Sequence, residues 1–165
     1  MTGDWWGSKI RRFVRYFTGR VTTAEQKALA GWLSAAQLDL FDSMHRADQR
    51  HGLDVVAALR LSGHDEPELL LAGLLHDCGK GRRLRVWHRI CWSLAERYGS
   101  RVQRTAMLVP GFRSAFATIE AHAERSAELA LAAGVGPLTA DLIRNQAEPT
   151  DEVLGGALLL ADQAN

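Results

Sequence analysis

An all-α helical bundle is the fold class that the sequence predicts, and three observations carry it. Apolar residues between breakers recur at spacings of three and four. No segment alternates apolar and polar residues over the length of a strand, and no Asn-Gly type hairpin turn occurs. With 47% hydrophobic residues and only 4 prolines in 165, the chain has material for one packed core of ordinary domain size.

The elements follow in order. Thr23 with Gln26, and Ser34 with Gln37, have the spacing of helix caps and their reciprocating partners, so residues 24–44 form one kinked helix or two short ones. A helix from about Asp48 runs through Leu53, Val56 and Leu61 and stops at Gly63, where a left-handed residue suits a helix end. Asp65 and Glu68 around Pro67 make the next capping-box pattern. The run LLLAGLLHD that follows is apolar on every side, which predicts a central buried helix reaching Gly79 and Gly81. A helix over about 84–98 ends at Gly99, and Pro110-Gly111 interrupts the next segment. Helices over about 112–133, 137–146 and 151–162, the last capped by Thr150, complete the chain. Residues 1–44 read as a helical extension packed on a core domain of 45–165.

Twenty basic against nineteen acidic groups give a net charge of +1, so no overall field favours nucleic acid, and no nucleic-acid partner is expected. Cys78 and Cys91 make no disulfide framework, and no signal peptide or apolar run of about 20 residues is present. A cytoplasmic protein is the expectation. The stretch 5–20 interleaves Trp5, Trp6, Ile10, Phe13, Val14 and Phe17 with Lys9, Arg11, Arg12, Arg15 and Arg20. A terminal helix docking its apolar stripe on the bundle explains these residues most economically. The alternative is a weak peripheral contact with an anionic membrane surface.

The chemistry concentrates at His76-Asp77, which closes the most apolar run. An unpartnered polar pair is costly to bury there. A cation satisfies it, because a helix C-terminus carries partial negative charge that adds to the carboxylate. On a continued helix the two side chains lie about 100° apart, within reach of one ion. His51 stands 25 positions upstream at the start of the preceding amphipathic helix, and Asp162 follows the apolar run LLLA at the far end of the last helix.

The strings DQRHGLDVV, LLHDCGK and LLADQAN together resemble the metal site of the HD-domain superfamily, whose signature is H…HD…D on a helical bundle. The resemblance runs from about residue 47 to the end, so that 45–165 reads as an HD domain. It implies that His51, His76, Asp77 and Asp162 hold a divalent ion, and that the chain is a metal-dependent phosphohydrolase acting on a nucleotide or other small phosphorylated substrate. Two imidazoles and two carboxylates leave positions open on an ion that prefers six ligands, which favours Mn²⁺ or Fe²⁺, with Mg²⁺, Co²⁺, Ni²⁺ or Zn²⁺ as substitutes. Asp77 or Asp162 would orient or deprotonate the attacking water. Lys80, on the metal side of a continued turn, suits a substrate phosphate as a point charge, and Arg82 and Arg83 either extend that clamp or are solvated loop charges.

Dinuclear relatives such as the HD-GYP proteins add histidines from later helices, and His122 resembles the first of them. Where the others would stand the sequence reads Ile143-Arg144-Asn145-Gln146, and Asn and Gln are poor ligands for a transition ion. A mononuclear centre follows, and the cyclic-dinucleotide phosphodiesterase and di-iron oxygenase readings lose support. His122 is then either an ordinary helix histidine or a group that hydrogen-bonds substrate phosphate or water, with Asn145 and Gln146 lining the same pocket. The alternative function is a non-catalytic HD-type nucleotide-binding or regulatory module. His64-Asp65 is a decoy pair in a turn, Cys78 is expected to pack rather than react, and His45 and His88 read as surface or boundary residues. Oligomeric state is left open by the sequence.

Overall fold

A computed structural model describes residues 18–82 and 84–165. Among these residues there are ten α-helices, one short 3₁₀ turn and no strand. The helices are α1 Thr23–Ala30, α2 Ala35–Ser43, α3 Arg46–Leu61, α4 Pro67–Leu75, α5 Val86–Tyr98, α6 Ser100–Ala106, α7 Phe112–Glu120, α8 His122–Ala132, α9 Pro137–Arg144 and α10 Leu154–Ala164, with the 3₁₀ turn at Cys78–Lys80. The all-α expectation is therefore met. The stretch 5–17 and Arg83, which carry the membrane-contact and part of the clamp expectations, lie outside the described residues.

Helix α4 is the axis of the bundle. Leu69, Leu70, Ala72, Gly73, Leu74 and Leu75 are all buried, as an all-round apolar sequence requires. Each leucine taken fully from water is worth about 1.5–3 kcal/mol, so this helix anchors the core. Helices α3, α9 and α10 pack against it, and α8 packs on α9 and on the 3₁₀ turn. Helices α1 and α2 are two separate helices. Leu29 of α1, Phe41 of α2 and Leu33 from the turn between them belong to the same core as α4.

A second, smaller core lies to one side. Leu84, Ala115, Phe116 and Ile119 are buried together with Cys91, Trp92, Met107 and Phe112 packed against them. The Trp92 and Phe112 rings each meet Phe116 edge-on, at centroid distances of 5.3 and 6.0 Å. Helices α5 and α6 belong to this unit, and neither contains a fully buried residue. Gly99 joins them at φ 87°, a conformation that L side chains rarely adopt.

Several local expectations are corrected. The first cap is Thr22 with Glu25, one residue earlier than Thr23 with Gln26. Helix α4 starts with Pro67 at its first position and has no side-chain cap. Asp65 instead lies 3.8 Å from Arg60. The segment 112–133 is broken at Ala121 into α7 and α8. The last helix begins later than expected, because Asp151, not Thr150, accepts the Val153 and Leu154 N–H groups at 2.9 and 2.8 Å. The Ser34–Gln37 capping box and the stop at Gly63, with φ 88°, stand as the sequence predicts.

Candidate metal centre

Helix α4 ends at Leu75, one residue before the His-Asp pair. His76 is its C-cap, and Asp77 has left the helix at φ −103° and ψ 3°. The pair is presented from a turn and not from a continued helix. That turn is pinned from two sides. The Gly79 N–H donates to Ser126 Oγ at 2.8 Å and the Cys78 thiol donates to the Ser126 carbonyl at 3.5 Å, tying it to α8. The Gln146 amide donates to the His76 carbonyl at 3.3 Å from the end of α9.

His51 arrives from α3 because α3 and α4 approach very closely. A Cβ on the neighbouring Gly52 would lie 2.5 Å from the Leu74 carbonyl oxygen, so only glycine allows this spacing. The His51 and His76 rings then meet edge-on at 5.2 Å. Asp162, on α10, closes the group. Its Oδ1 is 2.8 Å from His51 Nε2 and 3.7 Å from His76 Nε2. Ligand atoms of His51, His76 and Asp77 all lie within 4.8 Å of one another, a group that could hold a metal ion.

Proton positions at the centre follow from the hydrogen bonds. His76 Nδ1 is 2.9 Å from the Gly73 carbonyl, which can only accept, so Nδ1 carries the proton and the lone pair of the neutral ring is on Nε2. His122 Nδ1 likewise faces the Ile119 carbonyl, leaving its Nε2 toward Asp77 Oδ1 at 3.6 Å. Burial and then Lys80 hold the His122 pKa below its ordinary 6.5, against the pull of Asp77. In its neutral form His122 presents its Nε2 lone pair to the centre, on the side of Asp77.

His76 Nε2 and Asp77 Oδ1 are buried with no hydrogen-bond partner. They lie 3.6 Å apart, too far for a hydrogen bond between them. Two such atoms facing each other in a core are costly unless a cation, a proton or an ordered water satisfies both. With His51 and Asp162 the spacings are 2.8–3.7 Å, and these donors are close enough to share one ion. The side chains of His76 and Asp77 are only 2% and 3% exposed, whereas those of His51, Lys80, His122 and Asp162 are 19–34% exposed. The group thus has a dry floor and a wet rim. Burial raises the Asp77 pKa, but Lys80, His76, His51 and His122 more than offset it and keep the carboxyl ionised. Burial likewise opposes ionisation of Asp162, and the His51 hydrogen bond with both imidazoles brings its pKa down to about 2.

The remaining sequence candidates divide. Lys80 Nζ is 2.6 Å from Asp77 Oδ2, beside the group. Arg82 turns away and donates to the Asp42 and Ser43 carbonyls at 2.7 and 3.1 Å, satisfying the open end of α2. The Asn145 amide is engaged one turn back by the Asp141 carbonyl and carboxylate, both at 3.1 Å, whereas Gln146 touches the His76 backbone. His45 caps α3 by accepting the Ala47 N–H. Cys78 is buried and its thiol pKa is pushed up to about 12, mainly by burial, so it packs and does not react.

Two contributors escaped the sequence reading. Asp48, one turn before His51 on α3, is buried and takes both terminal nitrogens of Arg89 at 2.7 Å, tying α5 to the wall of the group. An acidic residue in a first helical turn reads as an exposed dipole partner, so only the basic run that contains Arg89 hinted at it. Ser126 lies in a string of small residues that signals packing and nothing more. No family model, curated protein or solved structure matches the chain.

Proposed function

We propose that the protein is a metal-dependent phosphohydrolase of the HD type with a mononuclear centre, in which His51, His76, Asp77 and Asp162 hold one divalent ion, Mn²⁺ or Fe²⁺ in preference to others. The observation that carries this reading is the buried, partnerless pair formed by His76 Nε2 and Asp77 Oδ1, with His51 and Asp162 facing it from the rim. The ion would acidify water and polarise a phosphoryl oxygen.

The chain's own residues divide the remaining work. Gly73 and Ile119 carbonyls fix the rings of His76 and His122 in the tautomer that offers Nε2. Lys80 neutralises Asp77 Oδ2 and leaves Oδ1 directed to the centre; with its side chain about 20% exposed, the ammonium is placed to attract a substrate phosphate. His122 Nε2 can accept a proton from water at the rim. Solvent access on the side of His51, Asp162 and His122 gives a small phosphate ester its entry.

Hydrolysis of nucleotides, sugar phosphates and p-nitrophenyl phosphate, assayed with Mn²⁺ or Fe²⁺ added, tests the reading. Turnover should fall at least about a hundredfold in His76→Gln and Asp77→Asn, a loss expected when the group that activates the nucleophile is disabled, with circular dichroism unchanged. Undiminished turnover in either variant contradicts it. Nucleotide binding without turnover across the metal series assigns the chain to the non-catalytic module instead.

A further inference from the structure

Charge is distributed unevenly along this nearly neutral chain. Residues 80–113 contain nine basic side chains and one acidic, Glu96, so the rest of the chain holds eleven basic against eighteen acidic. Most of this segment is the α5–α6 arm, whose two helices bury no residue completely. Lys80, Arg82 and Arg89 are engaged by Asp77, by α2 carbonyls and by Asp48. Arg85, Arg97, Arg101, Arg104 and Arg113 are exposed. Among the described residues, Arg85, Arg101, Arg104 and Arg113 have no carboxylate partner.

The same arm exposes large apolar side chains. Trp87 is 64% and Tyr98 59% exposed. They are eleven positions apart, three helical turns, so they project along nearly one line of α5. At the turn from α6 to α7, Leu108 is 82% and Val109 50% exposed, immediately before Pro110-Gly111. Turns ordinarily carry small polar residues at such positions. Exposed aliphatic residues at a turn, an aromatic line of Trp and Tyr, and exposed arginines in the same segment are what a surface needs to enter the headgroup region of an anionic bilayer.

We infer that the α5–α6 arm and the turn at Leu108-Val109 are a peripheral docking surface for an anionic phospholipid bilayer. A second copy of the chain is a poor occupant, because two such surfaces repel by their arginines. A nucleic acid is served less well, because Trp87 and Tyr98 could stack on bases but the exposed aliphatic pair Leu108 and Val109 would have no role in that contact. The docking surface is separate from the metal centre and does not depend on the hydrolase reading.

Co-sedimentation of the full chain with vesicles tests the inference, comparing phosphatidylcholine alone with phosphatidylcholine containing phosphatidylglycerol. The protein should partition onto the anionic vesicles only, and less so as salt rises. Leu108→Asp with Val109→Asp should abolish binding at unchanged thermal midpoint, since both side chains are exposed. Arg101→Gln and Arg104→Gln should each weaken it about fivefold, the effect of one basic group near an anionic surface. Absence of binding, equal binding to neutral vesicles, or tighter binding to single-stranded RNA overturns the inference. So does full binding by the Leu108-Val109 variant, which would assign the membrane contact to residues outside this arm.

Discussion

Glu25 illustrates what a single carboxylate can fix. It accepts the Thr22 N–H and hydroxyl at 2.8 Å each and pairs with Arg50 of α3 at 2.6 Å, so one side chain starts α1 and ties it to the bundle. The Arg50 hydrogen bond first, and the Thr22 backbone next, lower its pKa from 4.5 to about 2. A depressed folded-state pKa means that the stabilisation is present above pH 4.5 and is lost as the pH falls toward 2. Wild-type protein should therefore resist urea better than Glu25→Gln at neutral pH, by at most about 1 kcal/mol because the pair is partly solvated. The difference should vanish in the acid range. Equal midpoints at neutral pH would show that Glu25 contributes nothing. At this scale the sequence is legible where residue type alone singles out a candidate: His51 and His76 stand out in the string, and the fold brings their rings to 5.2 Å. It was read incorrectly where a distant backbone decides. Nothing in the string near Arg82 reveals that the carbonyls closing α2, about 40 positions earlier, will take its guanidinium.

Among the elements, the turn after α4 governs the geometry of the centre. A Cβ on Gly79 would lie 2.5 Å from the His122 carbonyl oxygen and 2.7 Å from the Ser126 nitrogen, both backbone atoms of α8. Gly79→Ala should thus force the turn away from α8 and cost about 1–3 kcal/mol, the usual penalty of overpacking. Thermal or urea unfolding measures it, and a loss below about 0.5 kcal/mol would mean that α8 yields freely. The ion pair of Asp48 and Arg89 is a second control point, since it joins α5, which buries nothing completely, to α3. Asp48→Asn should destabilise by roughly 3 kcal/mol, the low end for breaking a buried pair because Arg89 keeps 24% of its side chain in solvent. Hydrogen exchange in α5 should rise with it, and unchanged exchange there would show that the second core alone holds the arm. Helix interiors were legible from period and composition. Their ends were less so: the break at Ala121 has no glycine or proline to announce it, and Asp151 takes the capping role from a neighbouring Thr150 of similar preference.

Over the whole molecule, the all-α class and the central place of α4 were readable because an apolar run bounded by glycines has few other ways to be buried. The division into a main core and a side core was not, since Trp92 of α5 meets Phe112 and Phe116 of α7 across two helices whose mutual packing no local pattern specifies. The convergence of His51, His76, Asp77 and Asp162 came from matching strings at distant positions, and the folded chain brings them to one place. No helix among the described residues is long and apolar enough to cross a membrane. The central claim is that the buried atoms His76 Nε2 and Asp77 Oδ1 exist to share a cation. Elemental mass spectrometry on protein purified without chelator, then equilibrated with Mn²⁺ or Fe²⁺ and desalted, measures this directly. About one ion per chain is expected, lost in Asp77→Asn; no retained ion in the folded wild-type protein would contradict a shared cation.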